Sequence, residues 1–354
     1  MTTQTQALST DDFLHKVVGD LGALGTGALV AIGDRLDLYR AMRGAGPITS
    51  QQLADKTRTA ERYVREWLGG QLAAGYVLYD PDAGTYELPD AYAAVLADDT
   101  SPACLLGGFI SFTSVMSDIP KVIEAFRTGN GIGWHEHHEG LFEGTERLFR
   151  PGYEANLIGA WIPALDGVAA KLERGGRVAD VGCGHGASTI IMARAYPKST
   201  FVGFDYHAKS IERARALAKE AGVADRVSFE VAPSQGYPGS GYDLVAFFDC
   251  LHDMGDPVGA ARHVRKSLAD DGTWLLVEPF AGDDLESNAT PVGRIFYAAS
   301  TMICTPASLS QEVGLGLGAQ AGESRLRQVV EKGGFTRFRR ATETPFNLVL
   351  EARP

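Results

Sequence analysis

A chain of 354 residues, 45% of them hydrophobic, has enough apolar material for two domain cores. Its formal net charge of -11 disfavours a polyanionic partner, because affinity for nucleic acid comes largely from Lys and Arg neutralising phosphates. Four cysteines, Cys104, Cys183, Cys250 and Cys304, lie far apart with no CxxC pair, which argues against a disulfide framework or a zinc finger and suits a reducing cytoplasm.

The opening MTTQTQALSTDDFLHK lacks a basic-then-apolar leader pattern, and no apolar run approaches the ~18 residues of a membrane span, so a cytoplasmic protein with no membrane partner is expected. Residues 1–100 read as mostly helical, with an apolar Gly/Ala/Leu-rich segment from Leu21 to Met42. Thr49 or Ser50 can cap a short helix that buries Leu53 and Ala54. Thr59 can cap a second helix in which Val64, Trp67, Leu68 and Leu72 form one apolar stripe. Tyr76 to Tyr79, the turn Asp80-Pro81-Asp82-Ala83-Gly84, and Thr85 to Leu88 then make a hairpin, or wing. The sum is helix, turn, helix, wing.

Residues 101–175 stay helical, with breaks at Gly129 to Gly133 and at Pro151-Gly152, and read as a connector that contributes to a substrate pocket. From Arg177 the period changes. Short apolar runs alternate with amphipathic helices, which implies an α/β domain over residues 176–354 with a parallel sheet covered on both faces. The expected strands are Arg177 to Val181, Thr200 to Phe204, Val227 to Val231, Leu244 to Phe248 and Thr273 to Glu278. Two last runs, about Phe335 to Thr342 and Phe346 to Ala352, flank Thr344-Pro345 with no room for a crossover helix, so they pair antiparallel.

VADVGCGHGAST, Val178 to Thr189, sets Gly182, Gly184 and Gly186 between a strand and a helix. Glycine lets a ligand approach the backbone closely and the helix start offers free N–H groups, so a nucleotide-like ligand belongs there. The loop alone is ambiguous: Gly182, Gly184 and Ala187 also satisfy the GxGxxG/A dinucleotide pattern. Asp180, inside the strand end, would oppose a pyrophosphate but suits the ammonium and sulfonium of S-adenosylmethionine. Asp205, at the next strand end, is placed for ribose hydroxyls and fits either cofactor.

With DVGCGHG at 180–186, FDYH at 204–207, YDLVAFFDCLHDMGDP at 242–257 and the terminal hairpin, the chain from about Glu146 to Pro354 resembles the class I S-adenosylmethionine-dependent methyltransferases. The N-terminal part is similar to the winged-helix dimerisation domain of natural-product O-methyltransferases, and the whole to an actinobacterial methyltransferase group of poorly known substrate. That resemblance implies a Rossmann-like seven-stranded sheet, a homodimer formed through the N-terminal domain, and a small-molecule acceptor, most simply an oxygen. It implies a cofactor cradle of Asp180, Gly182, Cys183, Gly184, Gly186, Asp205, Tyr206 and Asp249. Where the family often has an acidic residue after the third strand, this chain has Ala232-Pro233-Ser234-Gln235, so the adenine contact falls to Ser234 or Gln235.

Methyl transfer from a sulfonium is an in-line displacement that depends on alignment and on excluding water. A protonated acceptor gains from a base near neutrality, and His252 in Cys250-Leu251-His252-Asp253 sits just past the fourth strand. In the family resembled, a catalytic His occupies the matching place in a similar stretch, here His252, Asp253 and Asp256. His252 is either that base or a group that positions its neighbours. Trp134-His135-Glu136-His137-His138-Glu139 lacks HExxH spacing and reads as a solvated loop or a cover for the pocket. No metal is expected, although adjacency of the first and fourth strands could bring Cys183 and His185 to Cys250 and His252. Phe296, Tyr297, Met302 and Ile303, within Asn288 to Gly322, line a pocket or pack into the core.

Two other readings stay open. ITSQQLADKTRTAERYVREWL resembles a DNA-binding helix-turn-helix with Arg58, Arg62 and Arg65 toward phosphate, but residues 1–100 hold 8 basic against 14 acidic residues. A methyltransferase fold that keeps the cofactor without methyl transfer is the other.

Overall fold

A computed structural model describes residues 7–354; the first six residues of the expected 1–100 domain lie outside the described residues. The chain divides into two units, one of Met1–Met116 with Glu139–Gly152, the other of Ser117–His138 with Tyr153–Pro354. Residues 101–175 are therefore shared between the units.

In the first unit a 26-residue helix, Thr10–Arg35, starts at Ser9, whose hydroxyl accepts from the Asp12 N–H. It is long and apolar enough by composition to cross a membrane, although no such run was expected from the sequence. Helix Ser50–Thr57 is closed by a capping box in which Thr49 and Gln52 satisfy each other's backbone N–H groups, and it buries Leu53 and Ala54.

Helix Glu61–Ala73 departs from expectation twice. It starts after Ala60 with no side-chain cap, because the Thr59 hydroxyl lies 2.9 Å from that of Thr57 instead. Its buried stripe is Val64, Trp67, Leu68 and Gln71, while Leu72 is 39% exposed. At about 100° per residue, i+7 falls back over Val64 and i+8 rotates off the stripe. Gln71 is tolerated there because its side-chain oxygen accepts from the Tyr39 hydroxyl at 2.6 Å. The wing is the antiparallel pair β1 (Leu78–Asp80) and β2 (Thr85–Glu87), with Ile48 bridging to Tyr86.

The second unit carries β3 (Arg177–Val181), β4 (Thr200–Asp205), β5 (Val227–Val231), β6 (Tyr242–Phe248), β7 (Leu268–Pro279), β8 (Arg337–Glu343) and β9 (Asn347–Arg353). They form one seven-stranded sheet in the order β5-β4-β3-β6-β7-β9-β8. The first five are parallel; β9 runs antiparallel to both β7 and β8. Central strands β3 and β6 are buried almost throughout, and the crossover helices Ala187–Ala195 and Pro257–Ser267 follow them. Val245, Phe247, Trp274, Leu276, Leu348 and Leu350 pack in one core cluster. The ends of β4, β3, β6 and β7 therefore lie side by side on one edge, and that order places the site.

Pro151-Gly152 does not break the chain as expected. Pro151 lies inside helix Gly140–Asn156, consistent with proline bending a helix instead of stopping it. The same helix supplies Arg147 to the first unit, where its guanidinium donates to Asp34 at 2.6 and 2.8 Å and to Asp99 at 2.9 Å. Asp34 is 8% exposed and Arg40 reaches it only at 3.4 Å, so removing the Arg147 cation leaves a buried charge poorly paired. Arg147→Met is expected to destabilise the first unit by about 3 kcal/mol in denaturant titration; a change below about 0.5 kcal/mol would show that the network contributes nothing.

Candidate active site at the carboxyl edge of the sheet

β3 ends in the glycine turn, and Gly182, Gly184 and Gly186 all take positive φ, at 74°, 53° and 80°. A side chain at 182 would meet the Cys250 sulfur at 2.7 Å, and one at 186 would meet the Phe229 ring at 2.5 Å. At Gly184 a Cβ would meet nothing within 4 Å, so this glycine leaves room beside the backbone. The Gly182 and Cys183 N–H groups donate to the Phe204 carbonyl, fixing the turn against β4.

Asp180 is 1% exposed. Its Oδ2 accepts from the hydroxyls of Ser188 and Thr189, both at 2.6 Å, and both from the first turn of the next helix. Its Oδ1 is buried with no hydrogen-bond partner. Burial pushes this carboxyl up to about 6, and nearby Asp205 adds to the rise. Asp205 ends β4 and accepts from the Gly184 N–H at 3.0 Å and the His207 N–H at 2.8 Å, so it braces the glycine turn; burial raises its pKa. Tyr206 is half exposed, with the His135 ring edge-on at 6.5 Å between centroids. Ser234 and Gln235 lie in a turn after β5, Ser234 partly buried and Gln235 exposed.

Asp249 follows β6 in a left-handed conformation, φ 51°, unusual for a residue with a Cβ. Tyr153 donates to one of its oxygens at 3.0 Å and the Asn347 amide to the other at 2.9 Å. Burial, then repulsion from Glu278, push it up to about 7. Its carboxylate is thus occupied by the protein, with Tyr153 and Asn347 as partners that sequence reading missed.

His252 is 3% exposed, in a short turn Leu251–Asp253. Its Nδ1 lies 2.6 Å from Glu278 Oε2, while Glu278 Oε1 accepts from the Leu251 N–H at 2.9 Å. Its Nε2 lies 3.1 Å from Asp253 Oδ1. That contact pairs charge without hydrogen-bond alignment, so the oxygen has no hydrogen-bond partner. Burial alone would lower the His252 pKa; the Asp253 and Glu278 carboxylates outweigh it and hold the ring protonated well above the ordinary range. Glu278 was read only as the end of a strand, though an acid at the carboxyl end of a central strand is itself a signal. Asp256 caps helix Pro257–Ser267 through the Gly259 N–H.

Cys183, buried, and Cys250, partly buried, line the turn as free thiols, with the Cys250 sulfur toward the Val181 carbonyl at 3.3 Å. The thiol grouped with His252 is Cys304, which the expected Cys183, His185, Cys250 and His252 set does not include. In the histidine cluster, His137 is buried, its Nδ1 2.9 Å from Asp118, and Lys121 also donates to Asp118 at 2.8 Å. This part of the run is therefore packed rather than solvated. Phe296, Tyr297 and Met302 are half-buried and Ile303 is buried.

Residues 24–98 match the family described as Rv2258c-like winged HTH domain, and residues 172–334 match a methyltransferase domain family. The 27-O-demethylrifamycin SV methyltransferase of Amycolatopsis mediterranei is 35% identical over 169 residues, 46% of this chain and 56% of that protein. The chain spans about half the length of the curated relatives it matches. An O-methyltransferase family protein from Burkholderia thailandensis superposes with a TM-score of 0.72 at 16% identity, covering 98% of this chain and 99% of the other. PigF, solved with S-adenosylhomocysteine, superposes with a TM-score of 0.72 at 16% identity over 98% of this chain and all of that one. Likeness at such identity establishes the fold: a helical winged-helix domain followed by the methyltransferase sheet with its antiparallel end.

Proposed function

Since the chain joins a winged-helix domain to a methyltransferase domain, we propose that it transfers the methyl group of S-adenosylmethionine to an oxygen of a small molecule. The observation that carries this reading is the unpartnered, buried Oδ1 of Asp180 at the end of the strand whose glycine turn is left open at Gly184. A buried acceptor without a donor is costly, and a cationic ligand relieves it where a pyrophosphate would be repelled. The residues present therefore fit the cofactor, which when bound supplies an electrophilic methyl group on sulfur.

Asp180 holds the cofactor's cationic end, Gly182, Cys183, Gly184 and Gly186 give it backbone room, and Asp205 with Tyr206 meets the ribose. Ser234 or Gln235 meets the adenine. Asp249 shapes the edge through Tyr153 and Asn347. Of the two roles open to His252, its carboxylate clamp favours positioning: with Glu278 and Asp253 at its two nitrogens, the ring has no free nitrogen to take a substrate proton. Arg62 and Arg65 pair with Glu66 and Glu61, which leaves the helix-turn-helix poorly equipped for phosphate. Free cysteines suit a cytoplasmic site of action.

The direct test is incubation with methyl-labelled cofactor and a panel of phenols, alcohols, carboxylic acids and amines. Label in a phenol or alcohol product is expected; label confined to amines, or cofactor binding with no transfer to any acceptor, would refute the oxygen assignment.

Cofactor affinity is also expected to depend on pH through Asp180. Its ligand-free pKa of about 6 lies above the ordinary carboxylate value, so below that pH a proton must leave before the cation binds. Affinity for S-adenosylhomocysteine, measured calorimetrically, should fall about fivefold between pH 6 and pH 5 and stay nearly level from 6.5 to 7.5. Asp180→Asn should bind weakly with a flat profile; a flat wild-type profile would contradict the assignment.

The N-terminal helix leaves Phe13, Leu14, Val18, Leu21 and Leu24 each more than half exposed. A row of this kind, with the low basic charge of the region, suits a second copy of the chain, and we assign the homodimer to it. Leu14→Asp combined with Leu21→Asp should halve the mass seen by light scattering; an unchanged mass would move the interface elsewhere.

A further inference from the structure

Cys304 closes a five-residue π-helical turn, Ser300–Cys304, inserted between helices Pro291–Ala299 and Thr305–Leu309. Such wide turns are rare and concentrate at functional positions, since they re-aim a side chain that an α-helix would place elsewhere. Here Cys304 reaches His252 and Asp253, so that an imidazole nitrogen, a carboxylate oxygen and the thiol sulfur all lie within 4.8 Å of one another. The thiol and the imidazole are both buried.

Two further features suggest what occupies the space between them. Asp253 Oδ1 is buried and makes no aligned hydrogen bond, although His252 Nε2 lies 3.1 Å from it. Glu278 holds His252 from behind through Nδ1 at 2.6 Å, leaving Nε2 directed at Asp253. A carboxylate on the far nitrogen is the support a metal-ligating histidine ordinarily has, because it fixes the tautomer and strengthens the near nitrogen as a ligand.

We propose that His252 Nε2, Asp253 and Cys304 form a site for a zinc ion, with Glu278 as the group that orients His252 and a fourth position left open. One nitrogen, one oxygen and one sulfur donor suit a borderline-soft, tetrahedral cation; magnesium and calcium prefer oxygen alone. Three protein ligands with one vacancy is the pattern of catalytic zinc, in contrast to the four of a structural site. Binding displaces the imidazole proton from Nε2 and the thiol proton, both released to water.

This rests on the methyl-transfer reading: the open position takes the acceptor's oxygen and names its class as hydroxyl. Coordination releases the acceptor proton to water. Its lone pair then forms the bond to the methyl carbon while the carbon–sulfur pair returns to the cofactor's sulfur. His252, Asp253 and Cys304 form and break no bond in that transfer.

The test uses full-length, tag-free protein produced with added zinc and dialysed against metal-free buffer, read by elemental analysis and by cobalt substitution. About one zinc per chain should remain, and cobalt should show a thiolate charge-transfer absorption. Cys304→Ala should abolish that absorption, Glu278→Gln should weaken zinc affinity about 10- to 100-fold, and Cys104→Ala should change neither. Wild-type protein that retains no zinc, or a cobalt spectrum without the thiolate band, would overturn the site, and neither reading requires a variant to fold. Loss of the band in Cys104→Ala would overturn it equally. Metal retention is measured without S-adenosylhomocysteine, so a failure of cofactor binding would count against methyl transfer alone.

Discussion

A carboxylate buried at the head of the central strand constrains the second unit more than any other group. Asp180 has neighbours on both sides, with β4 pairing it to Gly203 and β6 to Ala246, and it reaches no solvent. Ser188 and Thr189 satisfy one of its oxygens, which ties the start of the following helix to the strand end and fixes the path of the glycine turn. The other oxygen is left with nothing. A fold selected for stability alone would gain by replacing such a group with an apolar one, so its presence points to a ligand.

Sheet order extends the pattern. Because β4, β3, β6 and β7 are neighbours, Asp205, Asp180, Asp249 and Glu278 line one edge; burial raises Asp180, Asp205 and Asp249 in pKa, and repulsion adds to the rise at Asp180 from Asp205 and at Asp249 from Glu278. The protein offsets part of this with donors from Tyr153, Asn347 and backbone N–H groups. The unmet remainder favours positive charge at two places, next to Asp180 and next to Asp253. A sulfonium nucleoside answers the first; at the second the protonated His252 ring supplies the charge, and the proposed ion would take the place of its proton.

Periodicity and turn chemistry exposed much of this in the sequence. The strand runs were legible because each is short, apolar and bounded by glycine or charge, and the tight Thr344-Pro345 link required the antiparallel end. What stayed hidden depends on three-dimensional partners. Thr59 looks like a cap, but Thr57 competes for its hydroxyl; Leu72 looks like core, but Gln71 lies at the better angle and finds Tyr39. Glu278, Tyr153, Asn347 and Cys304 carry no local motif. They reach the site through strand adjacency, the end of helix Gly140–Asn156, the terminal hairpin and a π turn that no residue pattern announces.

The central claim is that the edge beside Asp180 receives a cationic, sulfur-bearing nucleoside and no dinucleotide. Calorimetric titration of the wild-type chain at neutral pH with S-adenosylmethionine and, separately, with NAD addresses it most directly. Saturable heat with the first and none with the second is the predicted result. Heat with NAD and none with S-adenosylmethionine would contradict the account at its root.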